Sequence, residues 1–311
     1  MKFTPEHDAL RRTTKQFVDS QINPFVDEWE ESGIFPAHEL FKKMGELGLL
    51  GVCKPIDNGG MGLDYSYNIV VTEELGRINC GGVPMAIGVQ TDMATPALAR
   101  FGSKELRDEF LTPAVNGDYV ASIAVSEPHA GSDVAAIKTT ARKDGDDYII
   151  NGTKMWITNS GFADVFIVFC QIEGNKFSCL ILEKGMDGLT LGAEEKKMGI
   201  KASSTVQLFF NNCPVPKENL LPNKSGLGAP LGCLDSARYG IAWGAIGAAM
   251  DCYDTALRYS KERIQFDKPI GATQLQQKKL AEMITEITKA QLLTWRLGVL
   301  RNEGKATTAQ I

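Results

Sequence analysis

The rhythm of hydrophobic and polar positions changes twice along the chain. Up to about residue 118, apolar residues recur at helical spacing in "DALRRTTKQFVDSQINPFVDEWEES", with a break near Pro24, and again in "PAHELFKKMGELGLLGVC". Pro36 marks a helix start and Gly48 a helix end. "GGMGLDYSYNIVVTEELGRI" predicts a third helix after a glycine loop. In "SKELRDEFLTPAVNG", Ser103 is placed as a cap and Leu106 in the core. From residue 119 the runs become short and rich in β-branched and aromatic residues: "DYVASIAVSE", "TTARKDGDDYIINGTKMWITN", "ADVFIVFCQIEG", "KFSCLILEKG" and "TVQLFFNNCPVP". "DGDD", "NGTK" and "EGNK" read as hairpin turns between them. The strands end near Pro222, "PNKSGLGAP" reads as a linker, and from about residue 231 two long helices follow, the first with a stripe of small residues that permits close packing.

The expectation is an α+β chain: an N-terminal helical domain over 1–118, a middle antiparallel β-domain over 119–228 and a C-terminal helical bundle over 229–311. Composition leaves this picture intact. The 311 residues are 43% hydrophobic and 23% charged, enough to bury a core. A net charge of −5 argues against a general binder of nucleic acid or anionic membrane. Seven dispersed cysteines without a CxxC pair fit reduced thiols in a reducing compartment. The first residues carry no secretory signal, no run spans a membrane, and the three histidines have no metal-ligand spacing, so no metal is expected.

Four stretches hold candidate chemistry. "IAVSEPHAGSD" ends a strand in serines and exposed amides, which make either a hairpin corner or a cradle for a hydrogen-bonding ligand. "MWITNS" places an indole beside hydroxyl and amide groups, either as core or against an aromatic cofactor. "RIQFDKPIGATQLQQKKLA" gathers an arginine, amides and an aromatic, which suit a diphosphate and an adenine or else a solvated helix end. "GVQTDMATPALARFG" carries Asp92 within an apolar helix, as a cap, a backbone-bonded carboxylate or a working base.

Together, in this order, these stretches resemble the acyl-CoA dehydrogenase family of flavoproteins over essentially the whole chain, including "VPKENLL", and "ARYGIAWGAIGA" is most similar to the glutaryl-CoA dehydrogenase branch. The resemblance implies FAD as cofactor and an acyl-CoA thioester as substrate. It places Ile123, Ala124, Val125, Ser126, Gly131 and Ser132 against the flavin ring, and Trp156, Ile157 and Thr158 on its other side and edge. Arg263, Gln265, Phe266 and Gln274 would meet the diphosphate and adenine end from a neighbouring subunit, and Ser132, Asp235 and Arg238 the CoA moiety. It also implies a homotetramer, an electron-transferring flavoprotein as acceptor, and a bacterial cytoplasmic or, second, mitochondrial matrix location.

Two departures bear on substrate and base. The family's usual late glutamate lies in a segment that would follow residue 311, so the bundle reads as incomplete, and the alternative glutamate position is Ala237. The glutaryl branch's early arginine is replaced in "CGGVPMAIG" by Val83 and Pro84, which favours a neutral acyl group. Asp92 is then the candidate base, suited to a branched or cyclic acyl group. The rival expectations are an oxidase of the same fold and a catalytically silent acyl-CoA- or flavin-binding fragment.

Overall fold

The computed structural model describes residues 3–174, 176–222, 226 and 228–311. In chain order its helices are α1 (Pro5–Phe17), α2 (Val26–Ser32), α3 (Ala37–Glu46), α4 (Tyr65–Leu75), α5 (Gly82–Gly88), α6 (Thr95–Phe101), α7 (Lys104–Leu106), α8 (Thr112–Val115), α9 (Gly228–Glu262) and α10 (Gln274–Asn302). Between the helical stretches run β1 (Ala121–Ala124), β2 (Thr140–Asp144), β3 (Asp147–Thr158), β4 (Val165–Ile172), β5 (Lys176–Glu183), β6 (Leu189–Leu191) and β7 (Thr205–Val215). A small hairpin, β8 (Ile264–Gln265) with β9 (Lys268–Pro269), separates α9 from α10. Helices, strands, helices is the α+β order the sequence predicts. Of the linker read over "PNKSGLGAP", residues 223–225 and 227 lie outside the described residues, and from Gly228 onward the stretch is already helix α9. The chain packs as two compact units, one of residues Met1–Asn23, Asp64–Asn79 and Arg238–Ile311, the other of Pro24–Leu63 and Cys80–Ala237.

In the first unit, polar stitches fix α1 against α4. The Thr4 amide donates to His7 Nδ1 at 3.1 Å, which puts the proton on Nε2, 2.7 Å from Ser66 Oγ. Asp64 caps α4 by accepting from the Ser66 amide. Arg11 bridges the buried carboxylates of Glu73 and Glu74 at 2.6 and 2.8 Å, and Gln291 of α10 donates to Glu73 at 2.8 Å. The small-residue stripe of α9 packs on α4 at backbone distance. A Cβ on Gly247 would lie 2.0 Å from the Glu73 carbonyl, and one on Gly76 would lie 2.2 Å from the Gly244 carbonyl.

The second unit is built around β4, an apolar strand buried on both faces between two hydrophobic clusters. β5 takes one edge of β4 antiparallel, while β1 and β2 pair with β4 in parallel. The sheet continues antiparallel through β3, β7 and β6. It is therefore mixed, not wholly antiparallel, because β1 and β2 enter beside β4 from loops and not from hairpins. "DGDD" is the β2–β3 hairpin turn, with Gly145 at φ 63°. "NGTK" is no turn. It lies inside β3, where Gly152 at φ 150° sits against Thr139 at a shift of the β3–β7 register.

The Gly247 contact yields a direct expectation. Gly247→Ala forces α9 and α4 apart and costs about 1–3 kcal/mol, the usual cost of overpacking. Thermal unfolding of the variant reads it as a lowered midpoint.

Candidate functional site

β1 delivers the first candidate residues to the sheet end. The side chains of Ile123 and Ala124 are buried in the two different clusters, so these two residues offer a ligand only their backbone. Val125 and Ser126 are half-buried. The chain then closes a two-residue turn: the Glu127 amide donates to the Ala130 carbonyl at 2.9 Å, and the Ala130 amide to the Glu127 carbonyl at 3.1 Å. The hairpin corner and the exposed cradle thus coexist. Pro128 and His129 form the tip, and Gly131 and Ser132 are exposed, with open space where a Gly131 Cβ would stand.

β3 comes alongside this loop, with the Met155 amide donating to the Ser126 carbonyl at 2.9 Å. The β3–β7 register shifts between Lys154 and Ile157, and Trp156 sits in this bulge at φ 57° with 64% of its surface exposed. Left-handed backbone is costly for a bulky residue, and the bulge turns the indole out of the core. Ile157 points into the core, and the Thr158 carbonyl accepts from Ser122 Oγ at 2.6 Å.

Beneath the loop lies a charge pair that the sequence reading did not single out. Lys154 is 0% and Glu127 2% exposed in their side chains, with Nζ 2.8 Å from Oε1. Lys154 also donates to the Val125 carbonyl at 2.9 Å. Glu127 accepts from the Lys138 and Thr139 amides at 2.6 and 2.9 Å, and His129 Nε2 stands 3.5 Å from its Oε2. Burial acts to raise the Glu127 carboxyl, but the converging donors outweigh it and hold the group below the usual carboxylate range. Burial also pulls the Lys154 ammonium below its ordinary value, against the pull of Glu127. The donor set around the carboxylate makes Glu127 the acceptor of three hydrogen bonds, one of them from Lys154.

Asp92 occupies a π-helical turn, Val89–Ala94, between α5 and α6, and is not a helix cap. It is half-buried and accepts from Thr91 Oγ1 at 3.0 Å. The sequence reading set it among apolar residues only. The structure adds Lys54, 8% exposed, whose Nζ donates to the Thr91 carbonyl at 2.6 Å. Burial lowers the Lys54 ammonium, and the charge of Asp92 works against that shift. No periodicity marks Lys54, since it lies in an irregular segment far along the chain from Asp92. Val83 is buried and Pro84 half-buried, as apolar positions of α5.

The remaining candidates divide between the units. Asp235 is half-buried in the early part of α9, where Arg100 donates to Ser236 Oγ at 3.0 Å. Arg238, Arg263, Gln265, Phe266 and Gln274 belong to the other unit and are exposed. Phe266 and Asp267 form the β8–β9 turn at φ 52° and 61°, so an aspartate takes the left-handed position that glycine favours, and Phe266 is 94% exposed. Gln274 is the first residue of α10.

The chain matches the acyl-CoA dehydrogenase N-terminal domain over residues 4–118, the middle domain over 122–213 and the C-terminal domain over 224–311. It is 38% identical to the short-chain specific acyl-CoA dehydrogenase of Rattus norvegicus, over 98% of this chain and 74% of that protein. The crystal structure of glutaryl-CoA dehydrogenase from Mycobacterium smegmatis superposes with a TM-score of 0.94 at 38% identity, over 99% of this chain and 79% of that one. Butyryl-CoA dehydrogenase from Megasphaera elsdenii superposes with a TM-score of 0.93 at 33% identity, over 100% and 83%. The chain belongs to the acyl-CoA dehydrogenase family. It is an FAD-dependent flavoenzyme of the oxidoreductase class, acting on acyl-CoA. The residues of the second unit fit such a cofactor: an exposed indole on a strained bulge, with a loop beside it that is open at Gly131. Among the described residues no helix is long and apolar enough to cross a membrane.

Glu127 gives a pH expectation. Its folded carboxyl is held below the unfolded value, so its contribution to stability is present above the ordinary carboxylate range and is lost as pH falls through the folded value. Glu127→Gln therefore flattens the loss of stability on acidification below about pH 4.5. Denaturant unfolding at a series of pH values measures the slope.

Proposed function

We propose that the chain dehydrogenates a neutral acyl-CoA, with a branched or cyclic acyl group, and that Asp92 removes the proton. The observation that carries this reading is the placement of a half-buried carboxylate on a π-turn beside a buried lysine. A thioester acidifies the neighbouring C–H bonds, and a carboxylate that stays ionised while shielded from water can serve as the base. Lys54 supplies the counter-charge. Asp92 takes the proton, and the electron pair of that C–H bond stays on the acyl group as the new double bond forms. FAD, when bound, supplies the acceptor for the hydride that leaves the second carbon. Ser132, Asp235 and Arg238 would hold the CoA moiety. Ile123, Ala124, Val125, Ser126, Gly131, Trp156, Ile157 and Thr158 would orient the ring, with Ile123 and Ala124 acting through their backbone. Arg263, Gln265, Phe266 and Gln274 would hold the diphosphate and adenine, in the homotetramer that the resemblance implies.

Neutrality of the acyl group follows from charge. With Val83 and Pro84 apolar and the Lys54 charge answered by Asp92, a carboxylate on the acyl tail would be buried without a partner. The similarity to glutaryl-CoA dehydrogenase favours a second reading, in which Lys54 receives a dicarboxylic substrate directly. Electron-transferring flavoprotein is the proposed acceptor, and a bacterial cytoplasm the proposed location.

Asp92→Asn is expected to lower kcat by about 10²–10⁴-fold, the usual worth of a general base, while FAD content and CoA-ester affinity stay at wild-type values. Activity within a few-fold of wild type overturns the assignment. In a spectral titration with short, branched, cyclic and dicarboxylic CoA esters, neutral esters are expected to bleach the flavin absorbance most readily. A clear preference for glutaryl-CoA selects the second reading.

A further inference from the structure

We infer that the buried Glu127–Lys154 ion pair is the positioning device of the cofactor loop, holding residues 125–139 and the Trp156 bulge in the shape that receives the flavin ring. This rests on the reading that Trp156 and the Ser126–Ser132 stretch touch the cofactor.

The pair's contacts reach both ends of one loop. Lys154 Nζ binds the carbonyl of Val125, where the chain leaves β1. Glu127 binds the amides of Lys138 and Thr139, where the chain returns to β2. β1 and β2 lie along the same edge of β4, so the intervening residues leave the sheet and come back to it with this pair at their root. Between those ends Ala130 and Ile137 are buried in the core, while the candidates Gly131 and Ser132 are exposed.

Lys154 is also the last residue in register before the bulge, two positions from Trp156. The strained backbone of Trp156 persists only if its neighbours over-determine it. On one side that neighbour is Lys154, anchored by Glu127 and Val125; on the other it is Ile157, buried in the core. The Met155 amide between them is spent on the Ser126 carbonyl. One ammonium therefore fixes the loop and the bulge together.

A buried ion pair adds little net stability over apolar residues of similar volume, because desolvation offsets attraction. What apolar replacements would not supply is direction: the four hydrogen bonds from and to this pair fix where Val125, Lys138 and Thr139 stand. The pair's removal should therefore be felt in cofactor affinity more than in folding.

The test compares Lys154→Met, the charge-free double variant Glu127→Gln/Lys154→Met, Lys154→Arg and Trp156→Ala. Each is stripped of flavin and titrated with FAD, following flavin fluorescence and absorbance, and is melted without FAD. The double variant is expected to bind FAD at least about tenfold more weakly, a change of about 1.4 kcal/mol, with an unfolding temperature within a few degrees of wild type. Lys154→Met is expected to lose affinity as well, and Lys154→Arg to recover part of it. Wild-type FAD affinity and flavin spectrum in the double variant overturn the inference. So does failure of the double variant to fold, which would make the pair a determinant of the fold alone. Trp156→Ala separates the premise from the inference. If it leaves FAD affinity unchanged, the reading of the site itself falls. If it weakens binding while the double variant does not, only the positioning role falls.

Discussion

An ammonium group with no exposure to water, set inside a β-sheet, constrains everything around it. Removed from solvent, Lys154 costs several kcal/mol unless an anion and further acceptors meet it in place. Glu127 and the Val125 carbonyl do so, and Glu127 in turn takes a second donor on the same oxygen from the Thr139 amide and one on its other oxygen from the Lys138 amide. Each requirement fixes a backbone segment. Satisfying one charge thus ties down both ends of the loop between β1 and β2. That loop and the bulge it abuts carry most of the candidate cofactor contacts, so the site's shape follows from how a buried charge is satisfied and not from apolar packing alone.

Local patterns made much of the fold legible. The Ser103 cap accepts from the Leu106 amide, Pro36 and Gly48 flank α3, and "DGDD" turns where glycine is needed. What local patterns concealed were features set by tertiary partners. "NGTK" has the chemistry of a turn yet runs through β3, because Gly152 is used for close approach to Thr139. The parallel pairing of β1 and β2 with β4 depends on long connections, which leave no short-range mark. Three π-helical segments among the described residues did leave a mark that periodicity misses. Val18–Ile22, Val89–Ala94 and Arg107–Leu111 are each followed by a residue and then a proline: Asn23-Pro24, Thr95-Pro96 and Thr112-Pro113. Proline lacks the amide for the carbonyl four residues back and crowds it, so the preceding turn widens. Thr95 and Thr112 each donate a hydroxyl to the carbonyl five residues back, Gln90 and Arg107, which satisfies an acceptor within the widened turn. Asp92 sits in one of these turns, so its direction is set by Pro96 and Thr95 as much as by its own position in the helix.

The candidate site was legible where chemistry coincides with a short stretch and hidden where it is assembled from distant ones. Trp156, Ser126, Gly131 and Ser132 stand in contiguous motifs, and the structure brings them to one end of the sheet. Lys54 reaches the Thr91 carbonyl beside Asp92, and Lys154 joins Glu127 through the sheet; neither pairing has a spacing that a sequence shows. Missing Lys54 altered the reading of Asp92, which then looked like a lone carboxylate on an apolar face. With the lysine present, the same carboxylate has a counter-charge.

Backbone strain singles out two of the candidate cofactor residues without appeal to resemblance. Among the described residues, positive φ at non-glycine positions falls on Trp156, Asn159, Glu173, Ile200, Asn212, Phe266 and Asp267. Asparagine and aspartate tolerate it at little cost. Glu173 lies beside Gly174 in the β4–β5 turn, and nothing in the structure assigns a role to Ile200. Trp156 and Phe266 combine strain with a large aromatic surface left in water, and folding alone gains from neither. The conformations are held by different means: an ion pair and a buried isoleucine flank Trp156 in the sheet, while Phe266 rides on a two-residue hairpin. Unrelated devices, each within its own unit, thus yield the same outcome, an aromatic ring fixed outward before any ligand arrives.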